Sequence, residues 1–143
     1  MENDTVKLLR ECNAGIKMGE DAIKMVLPMA KSGELRNSLE VCKNTHAVLG
    51  DETHDMLKRY KADPKDPHPV ARAMSGMKIR TKMMISSTDR TIADLMTDGC
   101  DMGIKSLSKC LNEYKNADKD ARSLAKRIIA SEEYLENRIR DFL

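Results

Sequence analysis

Apolar residues recur at spacings of three and four along four long stretches of the chain, the pattern of helices that bury one face. The second stretch opens after Ser32-Gly33 and carries the most regular stripe, which consists of Leu35, Leu39, Cys42, His46, Leu49, Thr53, Met56 and Tyr60. The other predicted helices run from a cap at Asp4 or Thr5 to about Leu27, from a cap at Asp89 to about Lys115, and onward from a cap at Asp118. The sequence therefore predicts an all-α protein.

The lengths of the connections predict how these helices are arranged. The first two helices are joined by only a few residues, as are the last two, so each pair forms an antiparallel hairpin. Between the hairpins, the segment KADPKDPHP excludes a helix interior because of its prolines, and 70–87 can form a short helix. A long helix here spans roughly 40 Å, and the connection is long enough to cross it. The predicted division is a single four-helix-bundle domain, 1–143, with hairpins at about 4–61 and 89–143 and a long crossover at 62–88.

Composition narrows the classes of function. The net charge of +2 gives no general attraction to nucleic acid, so no nucleic-acid partner is expected. The polar start, Met1 to Asp4, has no apolar run after it, and no apolar stretch reaches membrane-spanning length. These features predict a cytoplasmic protein without a transmembrane segment. Because the cytoplasm is reducing, we expect the four widely spaced cysteines to be reduced thiols that act as small buried hydrophobes.

A short internal repeat links the first helices of the two hairpins. The segment CNAGIK at 12–17 matches CDMGIK at 100–105, which places Gly15 and Gly103 at equivalent positions. Glycine costs about 1 kcal/mol in a helix interior relative to alanine, so each glycine needs a reason. We interpret the pair as a site where these two helices approach closely.

Four segments carry a resemblance to a known family. They are ECNAGIKMG (11–19), HAVLGDETHDML (46–57), IADLMTDGCDMGIKSL (92–107) and the final ASEEYLENRIRDFL. With two hairpins, one crossover and inward-facing polar residues, the chain resembles the ferritin-like superfamily, and within it the small uncharacterised ferritin-like proteins of anaerobic Gram-positive bacteria. The resemblance implies a bacterial protein with this fold over essentially the whole chain. It implies no reaction, because that group has none assigned.

A ferritin-like di-metal site needs inward-facing carboxylates from two helices and Glu-x-x-His from the other two. Counting from the hairpin turns places Glu20 near the height of His46, and Asp101 near the height of Glu132, so each pair can meet across its own hairpin. Iron or manganese would suit such a site. The candidate ligands are Glu20, His46, Glu52, His54, Asp101 and Glu132.

The ligand pattern departs from that requirement in three places. The second helix offers Asp51-x-x-His54 instead of Glu-x-x-His, the last helix has no histidine, and Ser108 stands where the repeat would place the equivalent of Glu20. The alternative, which we favour, is that His46 and a neighbouring glutamate form a buried hydrogen-bonded pair that fixes helix register.

The predicted crossover carries Arg72, Lys78, Arg80 and Lys82, with methionines between them and no acid. One interpretation is a basic amphipathic segment that docks on an anionic membrane surface or on a partner. The other, which we favour, is a helix that packs its methionine face on the bundle and leaves its charges in water.

Three functions remain as hypotheses, and the sequence does not decide whether the protein is an enzyme. The first is a non-catalytic binding or scaffold protein with a degenerate metal site. The second is an oxidoreductase or metal-handling protein with a di-iron or di-manganese centre. The third is docking to a partner or a membrane surface through the basic crossover. Each is compatible with a homo-oligomer.

Overall fold

The computed structural model describes residues 3–64 and 66–143. Met1, Glu2 and Lys65, which belong to the predicted polar start and crossover, lie outside the described residues. The described part is all-helical, as predicted. Its five α-helices are α1 (Asp4–Val26), α2 (Gly33–Arg59), α3 (Pro69–Ile85), α4 (Asp89–Glu113) and α5 (Lys119–Ile139), with short 3-10 turns at Leu27–Met29 and Arg140–Phe142.

The caps of α1 and α4 differ from the predicted ones. The side chain of Asn3 caps α1 and that of Thr88 caps α4, each accepting a hydrogen bond from the backbone N–H three residues further on. The predicted caps at Asp4 or Thr5 and at Asp89 are therefore wrong by one or two residues. Both aspartates lie in the first turn, where a carboxylate interacts favourably with the helix dipole.

These two aspartates connect one hairpin to the turn of the other. Asp89 accepts hydrogen bonds from the backbone N–H groups of Lys31 (2.8 Å) and Ser32 (2.9 Å), between α1 and α2. Asp4 accepts one from the backbone N–H of Asn116 (3.0 Å), between α4 and α5. The start of α4 thus lies beside the start of α2, and the start of α1 lies beside the end of α4. It follows that α4 runs in the direction of α2 and opposite to α1.

The four long helices enclose a core in two apolar halves. Helix α1 packs on α2 and α4, and α5 packs on the same two helices from the other side. The α2 stripe is buried from Leu35 to Met56, and only Tyr60, at its end, is exposed. One half of the core includes Leu8, Leu9, Ile16, Leu57, Leu124 and Ile128, and the other includes Ile23, Leu35, Leu39, Ile92, Leu135 and Ile139.

Helix α3 is an outer helix on the α1–α4 side of the bundle. It contacts α1 most extensively and α4 less so, and it buries only Ile79 and Met83. None of the helices in the described ranges combines the length and the apolar character needed to cross a membrane.

Candidate functional site

A polar layer separates the two apolar halves of the core. His46 lies on α2 between Cys42 and Leu49, and Glu132 lies on α5 between Ile128 and Leu135, so the helical stripes themselves point both side chains inward. His46 is completely buried and Glu132 is 8% exposed. Their side chains meet with a distance of 2.8 Å between His46 Nε2 and Glu132 Oε1. The pair therefore joins α2 to α5, across the two hairpins.

Both ring nitrogens of His46 face acceptors. Nε2 faces the Glu132 carboxylate, and Nδ1 lies 3.1 Å from the backbone carbonyl oxygen of Cys42. When Glu132 is ionised, both of these partners only accept hydrogen bonds, so both nitrogens donate and the ring is an imidazolium. Burial of the ring lowers its pKa, but hydrogen bonds to the side chains of Cys42 and Glu132 and the electrostatic interactions with both groups outweigh it and raise the pKa to about 10. The layer is thus a buried ion pair.

This pKa predicts a dependence of stability on pH. The pKa of His46 is about 10 in the folded chain and about 6.5 when unfolded, so its contribution is fully present below pH 6.5 and is lost as pH rises through 10. Between pH 6.5 and 8.5 we expect the free energy of unfolding to fall by about 2 kcal/mol from this group. Urea unfolding across that range measures it, with the double variant His46→Leu, Glu132→Leu as the control that lacks the contribution of His46. Equal slopes in both proteins would contradict the assignment.

Glycines on two other helices lie beside the pair, and the one on α1 makes room for it. A Cβ atom at Gly19, on α1, would lie 2.9 Å from His46 Nε2, and one at Gly103, on α4, would lie 3.7 Å from the Glu132 carboxyl carbon. A Cβ at Gly15 would meet nothing within 4 Å, so packing does not require the glycine there. The predicted close approach at Gly15 is therefore not seen. The glycine with a packing role in α1 is Gly19, which the repeat did not single out.

Two thiols flank the ion pair. Cys42 Sγ lies 3.6 Å from His46 Nδ1, and the Cys100 thiol is hydrogen-bonded to Glu132. A thiol, an imidazole and a carboxylate in this order are the groups of a cysteine nucleophile, which also needs access to substrate. Here Cys42 is 2% exposed and Cys100 is 1% exposed. Burial, and then the Glu132 charge, raise the pKa of Cys100, which keeps this thiol protonated and unreactive. All four cysteines are unpaired and buried, as predicted.

Two predicted metal ligands are held by other partners. Glu52 accepts two hydrogen bonds from Arg127, at 2.6 and 2.9 Å, and this contact, opposed by partial burial, lowers the pKa of Glu52. His54 Nε2 lies 2.8 Å from the Asn13 side-chain oxygen and donates to it. Both contacts link α2 to a neighbouring helix near the surface of the bundle.

The remaining predicted ligands do not form the expected pairs. Asp101 is hydrogen-bonded to Glu136, and this contact, helped by partial burial, raises the pKa of Glu136 to about 7. Glu20 lies beside Gly50, where its Oε1 would be 3.9 Å from an added Cβ, and it is not the partner of His46.

These positions do not fit a di-metal centre. His46 and Glu132 neutralise each other, while Glu52, His54 and Asp101 each contact a different neighbour. Within 3–64 and 66–143, no three histidine, cysteine, aspartate or glutamate residues are arranged so that they could hold one metal ion. We therefore derive no chemistry through iron or manganese.

The outer face of α3 is a second candidate site, and it is apolar. Met74, Met77 and Met84 are 66%, 65% and 87% exposed, and Val70 and Ile85 are exposed beside them. The expectation that this helix packs its methionine face on the bundle is therefore wrong for most of its methionines, since only Met83 is buried. We call Val70, Met74, Met77, Met84 and Ile85 the α3 stripe.

The basic residues of α3 are partly used to hold the helix in place. Arg72 donates two hydrogen bonds to Asp21 on α1, at 2.5 and 3.0 Å. On the other side, Lys78 Nζ lies 3.8 Å from Asp98 and Lys82 Nζ lies 3.7 Å from Asp94, both on α4. These contacts lie on the two sides of α3, between the outward face and the bundle.

Comparison of the chain with protein-family models, with curated proteins and with solved structures gives no significant match.

Proposed function

We propose that this protein is a non-catalytic binding protein that docks a helix of a partner protein on the α3 stripe. The bundle, which we propose is ferritin-like with two hairpins and a crossover, acts as the rigid scaffold. The Asp4 and Asp89 contacts between the hairpins support that arrangement. A closed core, in which the polar layer is a buried ion pair, supports a structural role for the residues that a ferritin-like enzyme would use for metal binding.

The exposed apolar stripe is the observation that carries this proposal. Its members lie on one side of α3, at spacings of four, three, seven and one, while Ile79 and Met83 lie on the opposite side and pack on the bundle. A helix that is apolar on two opposite faces has more apolar surface than its own fold uses. A contiguous exposed apolar surface of this kind usually marks a site of interaction.

The shape of the stripe favours a helical partner. From Val70 through Met74, Met77 and Thr81 to Met84 the spacing alternates between four and three, which is the heptad spacing of two helices packed side by side. The helix has 17 residues, so this surface is about 25 Å long. Methionine side chains are flexible and adapt to the shape of a partner.

A helical peptide tests the proposal. The probe is as long as α3, with leucines at alternating spacings of three and four and with glutamine and alanine elsewhere. We expect it to bind the wild-type protein, and Met77→Glu to weaken binding at least about tenfold, because a charge then enters the centre of the apolar contact. Fluorescence anisotropy of the labelled peptide measures the affinity.

Val48→Glu is the matched control. Val48 is 64% exposed, almost the same as Met77, but it lies on α2, which α3 does not contact extensively. We expect this variant to bind the peptide as the wild type does. A peptide that fails to bind the wild type, or that loses the same affinity with both variants, would overturn the proposed function.

A further inference from the structure

We infer that the helix docked on the α3 stripe is acidic along the edges of its apolar face. This inference rests on the proposed function and adds the chemistry of the partner. It comes from the cations that border the stripe on both sides of α3. The helix itself carries four basic residues and no acid.

On the α1 side, a groove of about 340 Å³ lies between α1 and α3. Lys24 from α1 and Arg80 from α3 both line this groove, and both side chains are exposed. Among residues 3–64 and 66–143, neither forms an ion pair, whereas Arg72 in the same groove is paired with Asp21. A partner carboxylate above the groove would therefore meet two cations that hold no acid.

On the α4 side, the stripe is bordered by Lys78 and Lys82. Their ion pairs with Asp98 and Asp94 are long, at 3.8 and 3.7 Å, and the four side chains are between 41% and 57% exposed. Such exposed pairs contribute little to stability, so the ammonium groups can turn toward a partner carboxylate at small cost. The α1 edge of the stripe thus favours negative charge on a bound helix, and the α4 edge adds two lysines that a partner carboxylate can reach beside Asp94 and Asp98.

The same features disfavour two other occupants. A membrane-surface helix usually places Trp, Phe or Leu on its apolar face, and the stripe contains none of them. A second copy of this chain, docked through its own α3, would bring a basic helix against a basic helix. An acidic helix has neither disadvantage.

Two charged peptides test the inference. Both keep the leucines of the neutral peptide, and the flanking positions are glutamate in one and lysine in the other. We expect the glutamate peptide to bind the wild-type protein about tenfold more tightly than the lysine peptide at low ionic strength, and this ratio to shrink as salt is added. In the double variant Lys24→Glu, Arg80→Glu we expect the ratio to fall to about one or to invert.

The control variant is Lys119→Glu, Lys126→Glu, which makes the same change in net charge on exposed residues of α5. It should keep the preference for the glutamate peptide. Equal binding of both charged peptides would overturn the inference, while binding of the neutral peptide would leave the proposed function standing. A wild-type dimer in sedimentation that Met77→Glu dissociates would also overturn it. So would Met77-dependent binding to vesicles of equal parts phosphatidylcholine and phosphatidylserine.

Discussion

Replacing Glu132 with leucine is expected to lower the free energy of unfolding by about 3–5 kcal/mol, since it removes one partner of a buried ion pair. His46 has no exposure to water, so its charge cannot be solvated after the change. The ring must lose its proton instead, and Nε2 loses the acceptor 2.8 Å away. The difference between a folded pKa of about 10 and an unfolded pKa of about 6.5 gives about 4 kcal/mol at pH 7 for Cys42 and Glu132 together, so the loss of Glu132 alone removes only part of it. Urea or thermal unfolding of Glu132→Leu measures the loss.

The double variant His46→Leu, Glu132→Leu tests whether the loss in the single variant comes from leaving one charge of the buried pair without its partner. Two apolar residues of similar volume need no hydrogen-bond partner, so we expect most of the loss to be recovered, to within about 1 kcal/mol of the wild type. A double-mutant cycle with both single variants then gives a large coupling energy. If Glu132→Leu costs less than about 1 kcal/mol, the ion pair does not stabilise the fold in the way described.

The apolar stripes were sufficient to predict the helices and the inward positions within them. The spacing of Leu35 to Met56 places His46 on the inner face of α2, and the spacing of Ile128 and Leu135 does the same for Glu132. Periodicity gives the face of each residue because the helix is regular. The predicted all-α class and the helix boundaries, to within about two residues, are confirmed for this reason.

The contacts between side chains of different hairpins could not be predicted in the same way. Counting from a turn compares heights only within one hairpin, so it pointed to Glu20 as the neighbour of His46. The actual partner, Glu132, comes from the other hairpin, whose position depends on contacts between hairpin ends such as those of Asp4 and Asp89. These are long-range contacts between polar groups, and no local pattern in the sequence encodes them.

The sequence alone also did not determine which face of α3 packs on the bundle. Ile79 and Met83 form one apolar face, and Met74 and Met77 belong to another, so periodicity alone allows either face to pack on the bundle. The ion pairs of Arg72, Lys78 and Lys82 favour the observed orientation, because only then do these cations reach acids on α1 and α4. The alternating spacing of the outer face was visible in the sequence, and it was the available signal for the α3 stripe.

The polar layer also explains why α1 has a glycine at the point where it passes His46 and Glu132. The His46 ring is fixed by hydrogen bonds at both nitrogens, so it cannot move aside as a flexible side chain would. Gly19 lets the α1 backbone approach this ring, whereas Gly15, one turn earlier, faces open space. Two glycines one turn apart in the same helix therefore differ in their packing.

The substitution Gly19→Ala is expected to destabilise the protein by about 1 kcal/mol net, since overpacking in a core commonly costs about 1–3 kcal/mol. The added Cβ would lie 2.9 Å from His46 Nε2 and 3.0 Å from Cδ2, so the ring or α1 must shift and the contact with Glu132 is strained. This loss outweighs the gain of about 1 kcal/mol that alanine brings to a helix interior. Gly15→Ala is the matched control in the same helix, and it should stabilise the protein by about 0.5–1 kcal/mol because nothing opposes that gain. Chemical unfolding of both variants measures the difference, and equal effects at the two positions would show that the approach of α1 to the ion pair places no constraint on the fold.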